Sequence, residues 1–205
     1  MNPGRFVTLE GGEAAGKTTQ SALLARTLTA RGIAVLRTRE PGGSPGAELL
    51  RGILLGGPID WSPRAETLLH FAARAEHVAK TIRPAIDAGT WVICDRFYDS
   101  TMAYQGYGQG ADRGFIAAQI RLLGIDPDLT LVLDVPEAVA AARLRQRGGG
   151  ADRYERLDAG FHARVRQGFR DIAAAAPERC AMVDASGDID TVQAAIAACV
   201  ARILD

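Results

Sequence analysis

Little in this chain ties it to an oxidising compartment, a membrane or a polyanion. It has three cysteines, Cys94, Cys180 and Cys199, an odd number set far apart with no C-x-x-C pair. That excludes a disulfide framework and reads as buried thiols in a reducing compartment. Histidine is as scarce: His70, His77 and His162 are not spaced with the cysteines, which leaves zinc and redox chemistry without support. No run reaches the roughly 18 apolar residues of a membrane span, and the N-terminal stretch has no apolar segment of signal-peptide length. Neither sign of charge is in excess, with 24 basic and 24 acidic side chains. A protein that coats nucleic acid or lies on a membrane surface carries a marked imbalance. The expectation is a cytoplasmic protein with no nucleic-acid or membrane partner. Linkers and repeats are missing too, so the 205 residues are expected to form one domain, 1–205.

What is present is a rhythm of short apolar runs and helical patterns. Runs at residues 5–10, 33–36, 90–94, 129–133 and 181–183 suit buried strands. Helices are expected over about 17–30, 47–55, 63–88, 100–107, 113–123, 136–146, 155–175 and 189–204. Gly32 and Gly89 close two of them, and Ser62-Pro63 opens the third with an N-cap and a proline in the first turn. Strands alternating with helices give an α/β fold, a five-stranded parallel sheet flanked by helices.

The most informative stretch is Gly11-Gly12-Glu13-Ala14-Ala15-Gly16-Lys17-Thr18, followed by Thr19. It fits G-x-x-x-x-G-K-[ST] at every specified position, after an apolar run and before a helical pattern. The glycines let successive N–H groups curl inward, and the helix adds its free N–H groups and positive dipole end. Lys17 would reach the outer phosphates and the Thr18 hydroxyl would ligate Mg²⁺. A glycine-rich turn before a helix is the alternative, and the full motif in this setting makes it a poor one. The chain is expected to bind a nucleotide.

Three further groups carry chemistry. Asp95 should emerge from the third strand beside the phosphate loop, suited to Mg²⁺ directly or through water; the alternative is a structural ion pair with Arg96. Arg96 suits a substrate phosphate, because its planar fork makes paired hydrogen bonds and keeps its charge. His70 and Arg74 lie four apart on one helix face with Phe71 beside them, a trio that alone reads as ordinary packing. Residues 143–156 hold Arg143, Arg145, Arg147, Arg153 and Arg156 around three glycines. Such a segment reads as a mobile arginine lid that closes over transferring phosphates, or else as a solvated helix face.

Together these motifs resemble thymidylate kinase. The resemblance rests on the phosphate loop, Thr38-Arg39-Glu40-Pro41-Gly42-Gly43, Ala72-Ala73-Arg74, Asp95-Arg96-Phe97 with Ser100, Tyr104 and Gln105, and Leu131-Val132-Leu133-Asp134-Val135-Pro136. It implies a P-loop NTPase three-layer fold and γ-phosphoryl transfer from ATP-Mg²⁺ to thymidine monophosphate (dTMP), usually by a homodimer. By resemblance, Arg96 and Arg51 hold the acceptor phosphate, Arg74 bonds the thymine carbonyl, and Thr101 lies near the base. Tyr104 would crowd a ribose 2′-OH, while Glu10 and Asp95 would help to organise Mg²⁺. Glu40 buttresses its loop on the substrate side. Glu13, where some members carry arginine, resembles the bacterial type that uses lid arginines, here Arg147 and Arg153. Where the family stacks a phenylalanine on the base this chain has His70, so either His70 or its neighbour Phe71 stacks. If it is His70, protonation of the ring would make thymidylate binding depend on pH.

The rivals are another nucleoside monophosphate or deoxynucleoside kinase, and a P-loop GTPase or ATPase switch. A nucleoside kinase has no use for Arg96 and Arg51 on an acceptor phosphate. A GTPase needs an Asn/Thr-Lys-x-Asp motif after a late strand, where this chain reads Asp134-Val135-Pro136-Glu137.

Overall fold

The computed structural model describes residues 4–56, 59–147 and 153–204. Five parallel strands form one sheet in the order β2-β3-β1-β4-β5, with β1 Phe6–Glu10, β2 Val35–Arg39, β3 Trp91–Asp95, β4 Leu129–Asp134 and β5 Cys180–Asp184. The three inner strands are buried along nearly their whole length. This is why they read as continuous apolar runs and do not alternate.

Helices pack on both sheet faces. Leu24 and Leu28 of α1 (Lys17–Ala30) and Val192 and Ile196 of α9 (Ile189–Val200) join Leu9, Ile93 and Leu131 in one core. On the other side, Phe161, Val165 and Phe169 of α8 (Ala159–Ala175) pack with Tyr104 and Val132. Between these lie α2 (Pro45–Gly56), α3 (Pro63–His77), α4 (Arg83–Asp87), α5 (Tyr98–Thr101), α6 (Arg113–Leu123) and α7 (Glu137–Arg147).

Four segments depart from the expected elements in ways that matter. The second strand starts at Val35 instead of Ile33, because the Ile33 amide donates to Leu28 O and closes α1. It therefore runs on to Arg39, paired with Asp95, and delivers Glu40 to the carboxyl edge of the sheet. The expected helix over 63–88 passes through a π-helical turn, Val78–Ile82, and the one near 100–107 is π-helical over Met102–Gly108. Such turns are rare and cluster at functional sites. The helix expected from residue 155 begins at Ala159, where the Asp158 side chain caps the Phe161 amide at 2.7 Å.

Candidate active site

β1 ends at the centre of the sheet, where the strand order reverses, and α/β folds bind ligands in that crevice. The chain then turns through Gly11 at φ +133, where a Cβ would stand 2.4 Å from the Leu133 carbonyl oxygen, so only glycine fits. Lys17, in the first turn of α1, arches back and donates to Gly11 O at 3.0 Å and Gly12 O at 2.7 Å. Burial lowers its pKa to about 8, helped by Arg96 and opposed by Glu13, Asp95 and Glu10. Loop amides, helix dipole and ammonium together make an anion site.

The second strand end that matters is that of β3. Asp95 Oδ2 accepts from the Thr18 hydroxyl at 2.6 Å, so two hard oxygen donors meet at the mouth of the loop. Mg²⁺ prefers one or two carboxylates with waters and phosphates to a closed protein cage. These residues fit that habit, and among the described residues no group of three or more His, Cys, Asp or Glu forms such a cage. Glu10 is buried, and its oxygens accept from Phe97 N at 2.7 Å and Ser100 Oγ at 2.5 Å, which shapes the turn after β3. Burial, reinforced by Asp99, pushes its carboxyl up to about 8.

Arg96 adopts a left-handed backbone, φ +72, that swings its side chain beneath the loop. Its guanidinium donates to Gly11 O at 3.1 Å, Ser100 Oγ at 3.2 Å, Glu13 Oε1 at 2.7 Å and Tyr104 OH at 3.1 Å. Glu13 also accepts from the Tyr104 hydroxyl at 2.6 Å. Burial alone would raise the Glu13 pKa, but Arg96, Lys17 and Tyr104 outweigh it and hold the carboxyl at about 2.

Arg74 is buried at the far wall. Its Nε donates to Glu40 Oε2 at 2.6 Å, and Nη2 donates to Phe97 O at 3.0 Å and Thr101 Oγ1 at 3.2 Å. Nη1 is buried with no partner among the described residues. The other Glu40 oxygen accepts from His77 Nδ1 at 3.0 Å, so the carboxylate is shared between the two side chains. Of the two candidates for base stacking, His70 lines the cavity. Phe71 packs under the Arg74 guanidinium, 4.9 Å from its ring centroid. Burial first, then Arg74, Arg96 and Arg153, lowers the His70 pKa to about 3. A value that low leaves the ring neutral at physiological pH and argues against proton-dependent binding.

These groups, with Arg51, Ser100 and Gln105, surround one cavity of about 580 Å³. A second hollow of about 570 Å³ adjoins the loop between Gly16, Thr19, Gln20, Arg143 and the Gly187–Asp188 turn. Arg143 spans from Ala14 O at 3.4 Å to Gly187 O at 3.1 Å. The Arg147 side chain and residues 148–152 of the expected lid lie outside the described residues. Arg153 does not turn toward the loop; its Nη2 pairs with the buried Glu66 Oε2 at 2.9 Å. Sequence reasoning missed Glu66 and Tyr154, and also the Gly187–Asp188 turn, which only the fold brings near the loop.

A phosphate loop, with the buried Arg74 and the partly buried Arg51 and Arg96 bounding one cavity on a sheet of this order, defines a P-loop phosphotransferase. A family model described as Thymidylate kinase matches residues 9–196. The thymidylate kinase of Gluconobacter oxydans is 53% identical, over 94% of this chain and 92% of its own length. That of Rhizorhabdus wittichii is 52% identical, over 98% and 99%. The crystal structure of thymidylate kinase from Ehrlichia chaffeensis superimposes with a TM-score of 0.79 at 39% identity, covering 96% of this chain and 98% of that one. The chain belongs to the thymidylate kinase family.

Proposed function

We propose that this protein transfers the γ-phosphoryl group of ATP to dTMP, giving dTDP and ADP for dTTP synthesis. The observation that carries the reading is the buried Nη1 of Arg74, without a partner among the described residues, in a cavity that also holds Lys17 and Arg96. A buried donor without a partner costs stability unless a ligand acceptor, here the thymine carbonyl, meets it.

In this reading the loop from Gly11 to Thr19 cradles the ATP phosphates, and Lys17 exchanges its two carbonyl partners for phosphate oxygens. Arg96 and Arg51 take the acceptor phosphate. That phosphate is largely dianionic at neutral pH, so its attacking oxygen needs no general base. Thr18 and Asp95 would hold Mg²⁺, which neutralises charge on the transferring phosphates. Arg143 flanks the ATP side at the second hollow. His70 stacks on the base, and Ser100, Thr101, Tyr104 and Gln105 close the wall around the sugar and base. Arg147 keeps its role as a lid candidate, and Arg153 would have to leave Glu66 to act as one.

A homodimer is supported by the exposed apolar side chains of Leu49 and Ile53, one turn apart on α2, and of Leu68 on the adjoining α3. A cytoplasmic location agrees with the free cysteines and with the absence, among the described residues, of any helix long and apolar enough to cross a membrane.

The test is coupled ADP release with ATP, Mg²⁺ and a panel of acceptors. Turnover should be strongest on dTMP and weaker on dUMP, since one methyl group discriminates by only about 1–3 kcal/mol. It should be negligible on thymidine. Turnover on thymidine alone, or without any acceptor, would remove the acceptor-phosphate site.

A further inference from the structure

Tyr154 lies within the arginine-rich segment, yet its hydroxyl and ring meet residues of the acceptor side. Its hydroxyl donates to Glu66 Oε1 at 2.7 Å and accepts from Gln105 Nε2 at 3.1 Å. The same hydroxyl lies 3.0 Å from His70 Nε2. A phenol has one proton, and Glu66 takes it, so the proton shared with His70 comes from the imidazole Nε2. The ring is thereby fixed in tautomer and orientation. Glu66 is fully buried on α3 and also accepts from Gln109 Nε2 at 3.0 Å and Gln105 Nε2 at 2.8 Å, with Arg153 paired at 2.9 Å. The Tyr154 ring stands edge-on to Tyr104, 5.3 Å between centroids, and lines the cavity.

We propose that Tyr154 is a positioning residue of the thymidylate site, anchored by Glu66 and acting through His70, and is not part of the ATP-side lid. The inference rests on the kinase reading given above. A side chain that holds the base-stacking ring changes how the acceptor binds and leaves the ATP site alone. Loss of one buried hydrogen bond to a neutral group changes affinity by about five-fold.

The experiment is a kinetic cycle of wild type, Tyr154→Phe, His70→Phe and the double variant, with KM for dTMP and for ATP and kcat measured for each. Tyr154→Phe should raise KM for dTMP about five-fold and leave KM for ATP within about two-fold. In the His70→Phe background, where the ring needs no hydrogen bond, adding Tyr154→Phe should change KM for dTMP by less than about two-fold. Gln105 keeps its shorter bond to Glu66 throughout. An equal rise in both backgrounds would overturn the route through His70. A loss carried by kcat or KM for ATP would return Tyr154 to the lid. A wild-type enzyme that does not turn over dTMP would instead sink the kinase reading, independently of the cycle.

Discussion

Glu13 in the phosphate loop accepts from Arg96 at 2.7 Å, so the loop and the turn after β3 form one electrostatic unit. The arginine proposed for the acceptor phosphate is thus held by a carboxylate of the phosphate loop. The Glu13 carboxyl is held at about 2, below the ordinary 4.5, so the folded protein binds its proton less readily than the unfolded chain. Its contribution is full above pH 4.5 and is lost as pH falls toward 2. The size is at most about 3 kcal/mol. Urea unfolding between pH 5 and 2.5 should therefore lose stability more steeply in wild type than in Glu13→Gln. Parallel profiles would mean that the pair contributes nothing to the pH dependence.

Lys17 supplies a second pH-dependent quantity. Its pKa near 8 in the free enzyme means that it is protonated at neutral pH and loses its charge above about 8. Bound phosphates restore the charged form, so ATP binding takes up a proton in that range. The Kd for ATP should be flat from pH 6.5 to 7.5 and rise above 8. Glu13 raises the Lys17 pKa, so Glu13→Gln should bring the rise to lower pH. Calorimetry of ATP binding across this range checks both. A Kd unchanged to pH 9.5 would show that the ammonium is not what the phosphates meet.

His70 gives the opposite expectation. With its pKa near 3, the imidazole does not titrate in the working range. The ratio of KM for dTMP between wild type and His70→Phe should stay constant from pH 5.5 to 8, because the substrate's own titration cancels. A ratio that climbs below pH 6.5 would show that the ring gains a proton in the pocket. His70→Ala should raise KM for dTMP severalfold at every pH. An unchanged KM would move the stacking role to Phe71.

How much of this was legible in the sequence depends on the distance along the chain over which each contact acts. The phosphate loop is local: strand, glycines, lysine and helix start are contiguous, and the motif names its own ligand class. Arg74 and His70 share a face because α3 is a helix, and the spacing alone places them together. The partners that decide their chemistry come from elsewhere. Glu40 reaches Arg74 because β2 runs three residues further than its apolar run suggests, once Ile33 is spent on closing α1. Glu66 and Tyr154 are 88 positions apart, and no periodicity joins them. Arg153 is a lid candidate from its arginine-rich segment and from the family resemblance, but neither says which anion it faces. Here the nearest buried anion is Glu66.

The last expectation concerns Gly43, which touches no substrate in any reading. It lies at φ +85, and a Cβ there would stand 2.2 Å from His77 Nε2 and 2.5 Å from Thr38 Oγ1. Those two atoms are hydrogen-bonded at 2.8 Å, and His77 passes the constraint to Glu40, which holds Arg74. Gly43→Ala therefore combines an unfavourable backbone with displacement of the imidazole, at a cost of about 2–3 kcal/mol in stability. Because the displaced chain ends at Arg74, the functional loss should fall on KM for dTMP and leave KM for ATP nearly unchanged. Glu40→Gln separates the two effects. It keeps the shape of the loop but leaves the buried Arg74 cation without its counter-charge, so it should raise KM for dTMP at least as much as Gly43→Ala does. Chemical denaturation and steady-state kinetics on both variants check this. If Gly43→Ala lowers stability and KM for dTMP stays at the wild-type value, His77 serves the fold alone and Arg74 is held in place without it.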